Sequence, residues 1–402
     1  MTVLERQLEK TLNKRRQISK IRRLVVNPEH AIDFSSNDFL GLAQHPHMRQ
    51  AYLDELQQLP SILGSTGSRL LDGNSSYCEA LEDRIAQFHH SEAALVFNSG
   101  FDANTGLFST VPQTGDIILY DQLIHASVHE GMRMSRASQK IPFLHSNLHD
   151  FERLLQSVIK SYPTKNVFIA LESVYSMDGD VAPLREFVQI VQKYWPNREN
   201  GYIIVDEAHS TGVYGDHGRG VVCQLGLEKY IFARLHTFGK ALASHGAVVL
   251  GSQTLRQYLI NYARPLIYST FMPYSSLASI KCAYDLLETG FTLPIQHHIH
   301  TITQRFQQTI QLPLGNLLPS SSPIQGVVLN GNQPVRALAS YLNTKGFIVK
   351  PICSPTVPKG QERVRICLHG HNTVEQVDSL VQAIHQFFVK EDTPVVTEVA
   401  KL

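Results

Sequence analysis

From about residue 94 onward, short uninterrupted apolar runs alternate with longer stretches in which apolar positions recur every three or four residues. Ala94-Leu95-Val96-Phe97, Asp116-Ile117-Ile118-Leu119-Tyr120, Val167-Phe168-Ile169-Ala170-Leu171 and Tyr202-Ile203-Ile204-Val205 predict buried strands. Tyr77 to Phe88 and Leu184 to Trp195 predict helices among them. Such alternation predicts an α/β layer fold around a mostly parallel sheet, with the active site at polar and glycine residues just past the strand ends. Ahead of this region, Leu4, Leu8, Leu12, Ile18 and Ile21 recur among basic residues between Val3 and Arg23, a pattern that predicts an amphipathic helix lying on a larger body. After about residue 285 the texture changes. A His-rich helical stretch around Gln296-His297-His298 precedes strand candidates at Gly326-Val327-Val328-Leu329, Phe347-Ile348-Val349 and Arg363-Val364-Arg365-Ile366-Cys367, with a helix near Ala337 to Leu342. The expected division is therefore an N-terminal helical segment (1–34), a large domain (35–285), a smaller α/β domain that closes over it (286–390) and a tail (391–402).

Composition narrows the functions open to this fold. With 402 residues, 43% of them hydrophobic, the chain can build more than one core. A formal charge of +1 offers no electrostatic case for nucleic acid or an anionic membrane. No apolar stretch approaches the roughly 20 residues that a membrane helix needs. Small molecules and another protein chain are the expected partners. Cys78, Cys223, Cys282, Cys353 and Cys367 are odd in number and lack Cys-x-x-Cys spacing, which argues against a disulfide framework and for a reducing compartment. His125 and His129 have the i, i+4 spacing of paired metal ligands, but no glutamate follows His125 and no third ligand stands near, so no metal is expected. At the C-terminus Ala400-Lys401-Leu402 is a close variant of the Ser-Lys-Leu peroxisomal address, behind a loose Thr393-Pro394-Val395-Val396-Thr397 stretch. The expectation is a peroxisomal protein read by the import receptor, with the cytosol as the alternative.

Three segments carry chemistry. Ile203-Ile204-Val205-Asp206-Glu207-Ala208-His209 sets an acid at the end of a buried strand, where it pairs with a protonated ring nitrogen or, more simply, caps a helix. Leu235-His236-Thr237-Phe238-Gly239-Lys240-Ala241 sets a lysine among small, uncharged neighbours, where desolvation lowers the amine's pKa and favours the neutral form that attacks a carbonyl. Asn98-Ser99-Gly100-Phe101-Asp102-Ala103-Asn104 follows an apolar strand and opens a helix, so its backbone amides suit a phosphate and Gly100 permits close approach. Phosphate cradle, aspartate and lysine, in that order, suggest pyridoxal 5′-phosphate (PLP) bound covalently at Lys240.

With these segments in view the chain resembles the α-oxoamine synthase family of fold-type I PLP enzymes, from about residue 20 to residue 390. Ser36-Asn37-Asp38-Phe39-Leu40-Gly41-Leu42, Gly64-Ser65-Thr66-Gly67-Ser68-Arg69, Ser176-Met177-Asp178-Gly179-Asp180, Asp206-Glu207-Ala208-His209-Ser210-Thr211-Gly212 and Thr237-Phe238-Gly239-Lys240 match in series. The resemblance implies that Lys240 carries the cofactor and moves the substrate's α-proton, that Asp206 salt-bridges the pyridine nitrogen, and that His209 contacts the ring hydroxyl. It further implies that Gly100, Phe101 and Thr237 bind the phosphate, that His125 stacks on the ring, and that Ser176 lines the same pocket. Asn37 and Arg365 are similar in position to residues that hold the amino-acid carboxylate, a task suited to a guanidinium fork. Ser269 and Thr270 resemble a segment donated by the second subunit of a homodimer.

Ser322-Pro323-Ile324-Gln325 and Ser354-Pro355-Thr356-Val357-Pro358 most resemble the biotin-synthesis branch, which condenses L-alanine with a pimeloyl thioester. Arg22 lies where the family places an arginine near the acyl chain, and Thr356 belongs to the same substrate-binding set. Where bacterial relatives often carry an arginine before the Pro-Pro-Thr-Val-Pro stretch, this chain has Cys353, with Lys350 as a candidate stand-in. Sister activities that use glycine or serine, or another acyl donor carried on coenzyme A or an acyl-carrier protein, stay open. A non-catalytic member acting as a binding subunit would be expected to have lost Lys240, Asp206 or His209, and all three are present.

Overall fold

The computed structural model describes residues 1–391 apart from 19, 20, 23, 29, 62, 197 and 198; the expected address Ala400-Lys401-Leu402 lies outside the described residues. Helix α1 (Val3–Gln17) starts with a Thr2/Glu5 capping box and carries Lys14, Arg15 and Arg16 in its last turn, where they complement the helix dipole. None of its residues is buried. The stripe of Leu4, Leu8 and Leu12 therefore does not lie on the rest of its own chain, contrary to the sequence expectation.

Strand β1 (Ile32–Asp33) follows, then α2 (Pro46–Gln58) and α3 (Ser76–Phe88), whose N-cap Ser75 accepts the amide of Cys78. Seven strands then build the main sheet: β2 (Ala93–Phe97), β3 (Ile117–Asp121), β4 (Gln139–Phe143), β5 (Val167–Glu172), β6 (Gly201–Asp206), β7 (Ile231–Thr237) and β8 (Ala247–Gly251). They lie in the order β2-β8-β7-β6-β5-β3-β4, and β8 alone runs antiparallel to its neighbours. The unbroken apolar runs have a direct cause. In β5, Val167, Ile169 and Leu171 enter one core layer while Phe168 and Ala170 enter the other, and β6 divides Ile203 and Val205 from Ile204 in the same way. Helices α4 (Gly100–Thr110) and α5 (Ala126–Met134) leave the C-terminal ends of β2 and β3. The parallel strands thus bring Asp121, Glu172, Asp206 and Thr237, each the last residue of its strand, to one edge of the sheet.

The smaller body is an antiparallel sheet of β9 (Ile324–Val328), β11 (Lys350–Ile352) and β12 (Arg363–Cys367) in the order β11-β12-β9. Its core draws on helices Leu293–Thr309, Asn332–Thr344 and Val374–Glu391. Phe34 is fully buried in that core, and β1 pairs in parallel with β10 (Phe347–Ile348). The 1–34 segment is therefore not helical throughout: its last residues belong to the C-terminal body. No helix among the described residues is long and apolar enough to cross a membrane.

Candidate active site

A cavity of about 250 Å³ opens at the C-terminal edge of the main sheet, with Gly100, His125, Asp206, His209, Thr237 and Lys240 in its wall. Four elements supply them. Ser99 caps α4 through the amide of Asp102 at 3.0 Å, which leaves Gly100 and Phe101 in the first turn, where free amides and the helix dipole favour an anion. A Cβ on Gly100 would stand 2.6 Å from Thr237 Cγ2, so only glycine allows the helix start to approach the end of β7 this closely. His125 is the N-cap of α5, and its Nδ1 accepts the Ser127 amide at 3.2 Å, which fixes the ring at the cavity wall.

Asp206 is buried at the end of β6. Its Oδ1 accepts the Ala208 amide at 2.9 Å and its Oδ2 accepts Asn104 Nδ2 at 2.7 Å. Lys240 Nζ donates to His209 Nε2 at 2.8 Å. Burial pushes the Lys240 amine down to about 8, against the pull of Asp206 and Glu172. His209 is held well below its ordinary value by burial and then by the nearby charges of Lys240 and Arg365, so it is the neutral acceptor of this pair.

Asn104 and Glu172 are among the lining residues that the sequence did not single out. Asn104 lies one turn after Gly100 on α4, and the i, i+4 spacing was the available signal. Glu172 ends β5 in register with Asp206 on β6, and its own apolar run ending in an acid resembles the Asp206 segment. Burial and then the Asp206 charge raise the Glu172 carboxyl well above the usual range.

The remaining expected residues lie outside this cavity, and Asn37 and Arg365 line neither it nor the second cavity. Arg365, on β12, donates from Nη2 to Asn37 Oδ1 at 3.0 Å and from Nε to the Ser176 carbonyl at 2.7 Å. Ser176 itself does not line the Lys240 cavity. It belongs with Arg22 and Thr356 to a second cavity of about 470 Å³, which also takes in the 122–126 segment flanking His125 and the first residue of β12, Arg363. Lys350 does not line that cavity either; its amine donates to Asn27 Oδ1 at 2.9 Å. The cation that does reach it beside Arg22 is Arg363, already paired with Asp178 at 2.7 Å. Ser269 and Thr270 lie outside the lining of the Lys240 cavity of their own chain, although the Thr270 carbonyl accepts Asn98 Nδ2 at 2.8 Å close to the helix start. Among the described residues no cluster of three or more His, Cys, Asp or Glu is arranged to hold a metal.

The residues present fit PLP. A cradle that a Cβ on Gly100 would fill suits a phosphate, and a buried carboxylate at Asp206 suits a ring N–H. An amine lowered to about 8 stands beside His209, whose buried Nδ1 has no partner among the described residues. Residues 29–384 match the family aminotransferase class I and II. An 8-amino-7-oxononanoate synthase of Emericella nidulans is 51% identical over 392 residues, covering 94% of each chain. An aminoacyl transferase sphA of Aspergillus fumigatus is 39% identical, covering 89% of this chain and 81% of that one. The solved structure of Sphingomonas wittichii serine palmitoyltransferase is similar at a TM-score of 0.84 and 26% identity, covering 96% of this chain and 98% of that one. The chain belongs to the α-oxoamine synthases, PLP-dependent acyltransferases of fold type I within the aminotransferase class I and II family.

Proposed function

We propose that the chain condenses L-alanine with pimeloyl-coenzyme A to give 8-amino-7-oxononanoate, coenzyme A and carbon dioxide, a step of biotin synthesis. The observation that carries this reading is the 51% identity, over 94% of both chains, to the 8-amino-7-oxononanoate synthase of Emericella nidulans. When bound, PLP supplies the electron sink for the negative charge that develops at the amino acid's α-carbon. Lys240 would hold the cofactor through Nζ, and an amine lowered to about 8 suits taking the amino acid's α-proton. Asp206 keeps a proton on the ring nitrogen, and Asn104 together with the Ala208 amide keeps that carboxylate oriented. Gly100, Phe101 and Thr237 would hold the phosphate, and His125 and His209, in the wall of the same cavity, would hold the ring. Arg365, steadied by Asn37, holds the alanine carboxylate. The second cavity, with Arg22 and Thr356, receives the acyl chain. A homodimer completes each site, Ser269 and Thr270 reaching the phosphate of the neighbouring subunit.

The test is release of free thiol and carbon dioxide by PLP-loaded protein given pimeloyl-coenzyme A with alanine, glycine or serine, alongside Lys240→Ala. Alanine-dependent turnover that the substitution abolishes is expected. Turnover only with another amino acid or acyl donor would keep the family and replace the substrates.

A further inference from the structure

Outside both cavities, the His145 ring stands between two carboxylates. Its Nδ1 is 2.9 Å from Asp121 Oδ1 and its Nε2 is 2.9 Å from Asp180 Oδ2, and the Tyr175 ring meets it edge-on at 4.5 Å. These are the groups that face it from β3, from the turn after β5 and from the start of that turn. An imidazole bonded to a carboxylate at both nitrogens must donate twice, and only the charged ring can do so. Burial opposes that charge, but the hydrogen bonds and attraction of Asp121 and Asp180 outweigh it and raise the ring to about 10.

Both carboxylates order backbone that leads to the site. Asp121 is fully buried; its Oδ1 also accepts the Leu123 amide at 2.9 Å, its Oδ2 accepts the Ser146 amide at 2.8 Å, and its carbonyl accepts the Ile124 amide at 2.9 Å. These bonds fix the segment that ends in His125. Asp180 closes the opposite turn, since its carbonyl accepts the Tyr175 amide at 3.0 Å. The C-terminal body grips that turn. Arg365 reaches the Ser176 carbonyl, Arg363 pairs with Asp178, and Ser320 Oγ donates to the Gly179 carbonyl at 2.8 Å. The 122–126 segment and the 175–178 turn both form wall of the 470 Å³ cavity.

We propose that His145 is a positioning residue for the acyl donor: by joining Asp121 to Asp180 it sets the spacing between the segment carrying His125 and the turn gripped by Arg363 and Arg365. The proposal rests on the reading of the second cavity as the acyl-donor site. Asp206, Thr237 and Lys240 are held by bonds that do not pass through His145, and Arg365 keeps its bond to Asn37 Oδ1 without it, so the effect of losing His145 falls chiefly on the acyl donor.

The experiment uses PLP-loaded His145→Gln and, in case that variant folds poorly, Asp180→Asn. The expected result is a roughly 10- to 100-fold fall in kcat/KM for pimeloyl-coenzyme A, the scale of a small misplacement of a positioned substrate. The cofactor absorbance change on titration with L-alanine should keep its wild-type midpoint. Wild-type kinetics with pimeloyl-coenzyme A in both variants, or an equal loss of alanine binding, would overturn the proposal. Should the wild type itself fail to turn over pimeloyl-coenzyme A, the functional reading fails, and backbone hydrogen exchange then decides the positioning role. Faster exchange in both 122–126 and 175–180, with 201–206 unchanged, supports the bridge, and faster exchange confined to 144–147 refutes it.

Discussion

Lys240 has to be charged enough to sit beside Asp206 and neutral enough to attack a carbonyl, and burial shifts that balance toward the neutral amine, which loses its proton at about 8. Cofactor-free protein should therefore take up PLP at a rate that rises with pH and is half-maximal near 8, followed by the growth of the cofactor absorbance. A midpoint near the ordinary 10.5 would show an unperturbed surface lysine. A second titration lies behind the site. The buried rings of His89 and His236 stand 4.0 Å apart, faced by Arg234 and Arg219, with Glu207 Oε2 at 3.4 Å from His236 Nε2 and its carboxyl raised to about 6 by burial. Burial, then the neighbouring positive groups, hold both rings well below 6.5, so the folded protein keeps them neutral. Below about 6.5 the unfolded chain takes up protons on these two rings that the folded one refuses, so their contribution to stability falls as pH falls, against the opposite contributions of His145 and Glu207, whose folded values are raised. The melting temperature should drop from about pH 7.5 to about pH 5.5, and less steeply in His236→Gln. An unchanged slope would remove His236 as a cause. Lys240, Asp206 and His209 were legible in the sequence because each sits in a short linear motif. Glu172 and Asn104 were not, because Glu172 meets Asp206 only across a strand pairing and Asn104 only where α4 packs on the end of β6.

The phosphate cradle is a property of two elements, since the start of α4 and the end of β7 approach so closely that a Cβ on Gly100 would lie 2.6 Å from Thr237 Cγ2. Gly100→Ala should weaken PLP binding markedly, and Thr237→Ser in the same chain should recover much of it, because serine removes the methyl that clashes and keeps the hydroxyl. Equilibrium dialysis of PLP against the two variants checks this; a double variant no better than the single one would place the fault in the α4 backbone. The same junction shows why the sequence reading of the elements was uneven. Strands β5 and β6 announced themselves as unbroken apolar runs because both faces of the sheet are covered. In β7 the buried Arg234 and His236 interrupt the run, so a central strand looked like a polar motif leading to Lys240. Arg234 is tolerated there because its Nη2 donates to the His89 carbonyl at 2.7 Å.

At the scale of the whole molecule, the texture of the sequence changes near residue 285, and one hydrophobic core draws on residues beyond it, but the return of Phe34 into that core was not legible, since it depends on a contact between residues far apart in sequence. What the single chain leaves exposed bears on assembly. Helix α1 presents Leu4 and Leu8 to solvent, Phe101 is 49% exposed at the helix start that forms the cradle, and Thr270 is exposed beside it. A second copy covering Phe101 and Thr270 would bury apolar surface and bring a hydroxyl pair toward a cradle that Ser269 and Thr270 do not reach in their own subunit. Mixing decides it. Lys240→Ala protein and a Ser269→Ala/Thr270→Ala double variant should each be nearly inactive alone, yet after dissociation and reassembly together they should regain about a quarter of wild-type activity, since half the dimers are hybrids with one intact site each. No recovery in demonstrably hybrid dimers would mean that each subunit completes its own phosphate site, and the exposed face at Phe101 and Thr270 would then need a different occupant.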